Sequence, residues 1–156
     1  MKTSEKLQAL YDFAWALPRP QFDMLVLCRS EHIPTREHMC GTVGCLWGWS
    51  PVVFPELKYV LDDDASTRAF GRWLPIWPGA RNRNRTVLGG VPQFLGITRE
   101  EGGWLFMSGE ESVPDGGDTE EVALCRLELL IRIYQVREAR RQAAAEQDVV
   151  EELVCV

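Results

Sequence analysis

The sequence predicts a mainly α protein: a compact single-domain helical bundle around a long C-terminal helix, with minor β at most. Three observations carry that reading. Apolar residues recur at three-to-four spacing along residues 4–17 and again through the C-terminal third. Two capping boxes, Thr98 with Glu101 and Asp118 with Glu121, mark helix starts in the second half. The composition is that of an ordinary globular domain, with 46% apolar and 26% charged residues in 156. A chain of this length forms one domain with a substantial core. We set the helical domain at residues 1–148 and an apolar tail at 149–156.

Each element has its own signal. Ser4 is a candidate N-cap for a helix over 4–17, in which Leu7, Leu10, Ala14 and Leu17 line one stripe and Phe13 widens it. Pro18 and Pro20 end it. Gln21 to Leu27 reads as a helical turn or a strand, and Ser30 to Met39 as a polar loop. Thr42 caps a short helix over Val43 to Trp49, where Gly44 and Gly48, four apart, share one face. Pro51 and Pro55 then break the chain, with Val52-Val53-Phe54 as a short strand or turn. The acidic run from Asp62 opens a helix through about Trp73, and Gly79 to Gly90 is a loop. Val91 to Leu95 is a short helix with Pro92 in its first turn and Gly96 as its cap. Arg99 to Met107 follows, then a Gly- and acid-rich loop over 108–117. The last helix runs from Thr119 to at least Gln147. Its stripes are Val122/Leu129/Ile133/Val136, Ala123/Leu127/Leu130/Tyr134 and Leu124/Ile131. An arc this wide predicts a central helix contacted from several sides. Both the Cys-Gly-Thr helix and the helix after Gly96 are expected against it.

No apolar run approaches the ~20 residues that span a bilayer, and the first residues lack the apolar core of a signal peptide. A cytoplasmic location follows as the expectation, with no membrane partner and with the five cysteines as reduced thiols.

The net charge of −6 is unevenly distributed. Between Ala65 and Arg99 there are six arginines and no acid: Arg68, Arg72, Arg81, Arg83, Arg85 and Arg99. Between Glu100 and Glu121 there are eight acids and no base: Glu100, Glu101, Glu110, Glu111, Asp115, Asp118, Glu120 and Glu121. Such blocks steer charged partners, or simply face water and each other. Helix N-termini account for Glu100, Glu101, Glu120 and Glu121 without any partner. Glu110, Glu111 and Asp115 have no such account. Arginine and tryptophan are frequent interface anchors, so Arg72, Trp73, Trp77, Arg81, Arg83 and Arg85 join those three acids as candidate partner-binding residues. The same arginines and rings also suit nucleic acid, cations for phosphate and rings for bases, although the rest of the chain sums to −12.

The segment Cys40-Gly41-Thr42-Val43-Gly44-Cys45-Leu46-Trp47-Gly48-Trp49 concentrates thiols, glycines and tryptophans. Cys40, Gly41, Thr42, Gly44, Cys45 and Gly48 are assigned structural roles, the thiols packing as small apolar groups. Three chemical alternatives stand beside that. His38, Cys40 and Cys45, with His32 or Cys28, form a zinc set, but His-x-Cys-x4-Cys lacks the usual tight pairs. Cys45 at a helix start with His38 as base is a nucleophile. Cys40 and Cys45 can also form a reversible disulfide. No phosphate-binding, dinucleotide, zinc-protease or serine-hydrolase motif occurs in the sequence. The reading therefore assigns no catalytic residue, no metal and no cofactor.

The order of these features resembles a family of small proteins encoded by phages and bacterial mobile elements. The matching marks are Leu17-Pro18, Phe22-Asp23-Met24, the Cys-Gly-Thr-x-x-Cys block with Gly48, Phe94-Leu95-Gly96-Ile97-Thr98 with Glu101, and Asp118 to Ala123. They cover roughly residues 4 to 134. Trp47 departs from the pattern, standing where a small residue is usual. The resemblance implies an accessory protein of a bacterial host cell and brings no catalytic residue. The function expected is a non-enzymatic protein that binds and inhibits a host protein, such as a CRISPR-type, nucleic-acid-binding defence complex. The alternatives are a nucleic-acid-binding regulator using the arginine-rich loop, and a thiol or zinc protein centred on Cys40 and Cys45. A homodimer through the C-terminal helix is a further expectation.

Overall fold

A computed structural model describes residues 1–22, 28–29, 33–35, 43–61, 73–78, 87–106 and 120–154. They form five helices and two small antiparallel ladders. In chain order these are α1 (Thr3–Ala16), β1 (Cys28–Arg29), β2 (Val43–Gly44), α2 (Leu46–Val53), β3 (Lys58–Leu61), β4 (Trp73–Ile76), α3 (Val87–Leu95), α4 (Arg99–Phe106) and α5 (Glu120–Val154). The mainly helical class and the long C-terminal helix are as expected, and among the described residues β structure consists of β1–β2, β3–β4 and an isolated bridge between Phe22 and Gly44. Among the described residues no helix is long and apolar enough to cross a membrane.

α1 buries Leu7, Leu10 and Ala14, the predicted stripe, and stops before Pro18, where a short 3-10 turn at Arg19–Gln21 begins. Its cap differs from expectation. The helix starts one residue before Ser4, with Lys2 at the cap position and its N–H donating to Glu5 Oε2 at 2.8 Å. Ser4 is buried and is held from outside. Its N–H and its hydroxyl both donate to the Glu138 carboxylate of α5. At the other end Arg19 Nη1 lies 3.4 Å from Glu121 Oε1. Ser4 near the start of α1 thus meets the middle of α5, and Arg19, just beyond the end of α1, meets the first turn of α5, so the two helices run antiparallel.

α2 is the apolar centre, with all eight of its residues buried. A helix apolar on every side must lie inside. Its start corrects the sequence reading. Thr42 is outside the described residues, the cap position is Cys45, and Val43–Gly44 is a strand paired with Cys28–Arg29. Gly44 and Gly48 therefore do not share a helix face. Pro51 lies inside the helix and does not break it. Proline cannot donate to the carbonyl four residues back. Here Ser50 Oγ donates to Trp47 O at 2.7 Å and satisfies that carbonyl. Val52 and Val53 are the last helical turn, not a strand.

β3 and β4 pair antiparallel, with Lys58 opposite Ile76 and Leu61 opposite Trp73. This ladder replaces the end of the helix expected through Trp73; residues 62–72 lie outside the described residues. Pro75 sits within β4 and is buried. Both strands of a two-stranded ladder are edges, the only place a strand tolerates proline.

α3 begins at Val87, four residues earlier than expected, so 87–90 is helix and Pro92 is internal. The cap is as predicted. Gly96 has φ of 83°, its N–H donates to Gln93 O at 3.2 Å, and the Ile97 N–H donates to Pro92 O at 3.1 Å. That is the bonding of a Schellman turn. The α4 capping box is also present: Thr98 N–H donates to Glu101 Oε2 at 2.9 Å, and Glu101 N–H donates to Thr98 Oγ1 at 3.1 Å. Gly102 brings α4 close to α3, since a Cβ there would stand 2.5 Å from Pro92 Cγ.

α5 buries Ala123, Arg126, Leu127, Leu130, Ile131 and Tyr134. It packs chiefly on α1 and secondly on α4. α2 packs on α1, α3 and β4. α1 thus packs on both the buried α2 and the long α5. The stripe containing Leu129 and Val136 faces outward. Residues 139–147 are all exposed, and the helix continues across the position where a separate tail was expected. Asp118, the expected cap, lies outside the described residues.

Candidate interaction surface

Much of the expected partner surface cannot be placed. Arg72, Arg81, Arg83, Arg85, Glu110, Glu111 and Asp115 lie outside the described residues, as do His38, Cys40, Gly41 and Thr42. Cys45 is 3% exposed, between β2 and α2. Gly48 is buried, and its carbonyl accepts the Tyr59 hydroxyl at 2.6 Å. That bond ties α2 to β3.

Trp73 and Trp77 are half-buried, not free anchors. Trp73 meets Tyr59 edge-on with centroids 6.4 Å apart. Trp77 meets Phe94 edge-on at 5.9 Å, and Phe94 in turn tilts against Phe54 at 5.3 Å. The Lys6 ammonium lies 4.1 Å from the centre of the Phe94 ring and also donates to the Phe94 carbonyl. Edge-to-face rings of this kind contribute about 0.5–1.5 kcal/mol per pair beyond area burial. Both tryptophans therefore help hold β4 and α3 to the core.

The most exposed tryptophan among the described residues is one the sequence reading passed over. Trp15 is 69% exposed, on the side of α1 away from the Leu7/Leu10/Ala14 stripe. Tyr11, one turn earlier, stacks on it at 6.0 Å with the rings 13° apart. Trp15 borders a groove of about 350 Å³ between the end of α1 and the start of α5. Its apolar lining includes Leu17, Phe22 and Leu124, and its rim carries Glu120, Glu121 and Arg19. The signal was available: three-to-four spacing leaves position 15 off the buried stripe. The groove was not, because it depends on how α1 and α5 pair.

Glu101 is the electrostatic centre of the described residues. Besides capping α4, its Oε2 accepts the Tyr134 hydroxyl at 2.6 Å and its Oε1 accepts Arg137 Nη1 at 2.8 Å. Burial pushes the Glu101 carboxyl up, but hydrogen bonds from Tyr134, the Thr98 N–H and Arg137 outweigh it and hold the group below its ordinary value. Burial, and then the bond to Glu101, push the Tyr134 phenol up to about 12. Burial likewise opposes ionisation of Glu138, yet the Ser4 hydroxyl and N–H hold it low. These carboxylates, two of the acids nearest the body, have structural duties. Glu120 and Glu121 stand at the N-terminus of α5, at the groove. No protein-family model, curated protein or solved structure matches the chain.

Proposed function

We propose that this protein works by binding and not by catalysis: it docks on a host protein and blocks a surface that protein needs. An accessory protein of a phage or mobile element, aimed at a defence component of CRISPR type, is the setting that the motif order implies. The observation carrying the binding reading is Trp15. A tryptophan 69% exposed, stiffened by Tyr11 and set beside an apolar groove, is costly to leave in water. Rigid aromatic rings of this kind dominate interface energies once a partner covers them. The rim supports one partner chemistry. Glu120 and Glu121, the latter paired with Arg19, flank the groove and the sequence before them is acidic, which favours a basic, partly apolar partner surface. Nucleic-acid-binding surfaces have that character, and an acidic protein seated there excludes the natural ligand.

The test is affinity capture from host lysate by the full chain and by Trp15→Ala, each at low and physiological salt. The reading expects a defined host protein captured by the parent chain, lost with Trp15→Ala and weakened by salt. A chain that captures nothing at low salt, or whose capture ignores Trp15, sinks it. Tight, salt-sensitive binding of nucleic acid that disappears when Arg81, Arg83 and Arg85 are replaced together establishes the regulator reading instead.

A further inference from the structure

The groove between the end of α1 and the start of α5 combines an aromatic ring, an apolar wall and two carboxylates. We infer that it takes an arginine side chain of the partner protein, the guanidinium served by the Trp15 ring and by Glu120 and Glu121; the assignment rests on the binding reading above and names the group the groove holds. At about 350 Å³ the groove is near the lower end of ligand pockets, with room for one long side chain and not for a folded element. Leu17, Phe22 and Leu124 supply the apolar wall, and Glu120, Glu121 and Arg19 the charged border. An arginine matches that division, since its methylene stem packs on apolar surface while its head stays among polar groups.

Ring and carboxylates are both open to a ligand. Tyr11 stacks on Trp15 with the rings 13° apart but does not border the groove, so Trp15 meets the groove with the part of its ring that Tyr11 leaves uncovered. Glu101 and Glu138 use their oxygens for bonds within the fold. By contrast, no hydrogen bond to the Glu120 or Glu121 carboxylate forms among the described residues. Arg19 approaches Glu121 at 3.4 Å, beyond ordinary hydrogen-bond length, and its side chain is 91% exposed. So loose a surface pair adds little stability and yields to a competing cation.

The same combination is complete elsewhere in the molecule. Arg137 lies 4.9 Å from the centre of the Tyr134 ring and donates to Glu101 at 2.8 Å, so ring, carboxylate and guanidinium form one unit. The groove repeats the ring and the carboxylate, and its own Arg19 is set against Glu121 and not over Trp15. Lysine fits less well. Its ammonium is compact and strongly hydrated, whereas a guanidinium is planar, weakly hydrated, stacks flat on a ring and presents a fork of N–H groups to carboxylates. The net charge of −6 draws cations of every kind, and the ring beside the carboxylates selects arginine among them.

The test measures binding of two fluorescent, end-blocked peptides to the full chain, identical except that one carries arginine where the other carries lysine. The arginine peptide should bind about tenfold more tightly. Trp15→Ala should erase that preference, and Glu120→Gln combined with Glu121→Gln should weaken the arginine peptide about tenfold. Glu146→Gln, about 39 Å along α5 from Glu120, should change binding by less than about twofold. Arg19→Ala should strengthen binding, because the competing guanidinium is gone. Each variant should keep the parent far-ultraviolet dichroism spectrum, since the groups replaced are surface groups. Equal affinity for the two peptides, a preference that survives Trp15→Ala, or weaker binding by Arg19→Ala would each overturn the assignment. A host protein captured through Trp15 with no arginine preference in the peptides overturns it while the binding reading stands; an arginine preference with no captured host protein does the reverse.

Discussion

Three residues carry more of the architecture than their size suggests. Gly96 stands at φ of 83°, and a Cβ there would collide with the Thr3 hydroxyl at the start of α1. Left-handed backbone costs a non-glycine residue about 1–2 kcal/mol before any collision is counted. Gly96→Ala is therefore expected to lower the urea midpoint by an amount equivalent to at least about 1 kcal/mol. Tyr134 gives a second prediction. Its hydroxyl bonds a charged carboxylate, an interaction worth about 1.5–3 kcal/mol. Tyr134→Phe should lose stability on that order, measurable by thermal or urea unfolding. Ultraviolet titration of the parent chain should show one tyrosine ionising near 12, and Glu101→Gln should bring that step down, since a bond to a full negative charge is replaced by one to a neutral amide. Gly96 and the Thr98–Glu101 box were legible in sequence because both are local: the bonds join residues three to five apart. The contacts of Glu101 with Tyr134 and Arg137 were not, because those partners lie on α5 and only packing brings them to α4.

Among the elements, the start of α1 is tied to the middle of α5, where Ser4 meets Glu138. Glu138 supplies from another helix the acceptor that a capping side chain normally supplies locally. The same geometry sets a pH dependence. The folded-state values of Glu101 and Glu138 lie below their ordinary value of 4.5, so the stability they contribute is complete above that value. It is lost as pH falls through the lower, folded values. Acid unfolding below about pH 4.5 should accordingly be shifted upward in Glu138→Gln relative to the parent, because the amide cannot gain from ionisation. Following the dichroism signal from pH 6 to 2 checks this. α3 and α4 approach closely over Gly102. Gly102→Ala should cost about 1–3 kcal/mol by forcing Pro92 away, whereas Gly103→Ala, with open space around it, should cost nothing measurable. Helix periodicity found α1, α4 and α5. It misplaced the start of α2, where Thr42 read as a cap, and the end of α2 and the start of α3, because prolines normally mark boundaries and here two of them sit inside helices. The β3–β4 ladder escaped the sequence reading because its strands are four residues long, one contains proline, and eleven residues separate them.

For the whole molecule, the proposed binding function rests on the outer surface. Trp15→Ala should change unfolding stability by less than about 1 kcal/mol, since the ring is mostly in water and only its stack on Tyr11 is lost. The same substitution should remove partner capture. A variant that unfolds the chain would reassign Trp15 to the core. The amino-acid sequence by itself determined the helical class, the long last helix, the C-terminal end of α1 and the caps around α4, all properties that local bonding and apolar spacing write into neighbouring residues. Tertiary structure alone decided that α2 is the buried centre and that α1 packs on both α2 and α5, that Trp73 and Trp77 brace the core while Trp15 faces water, and that the Leu129 stripe is left outward. Amphipathic spacing states which side chains seek burial. Which of them find it depends on a fixed amount of facing surface, and that is settled only when the helices compete for it.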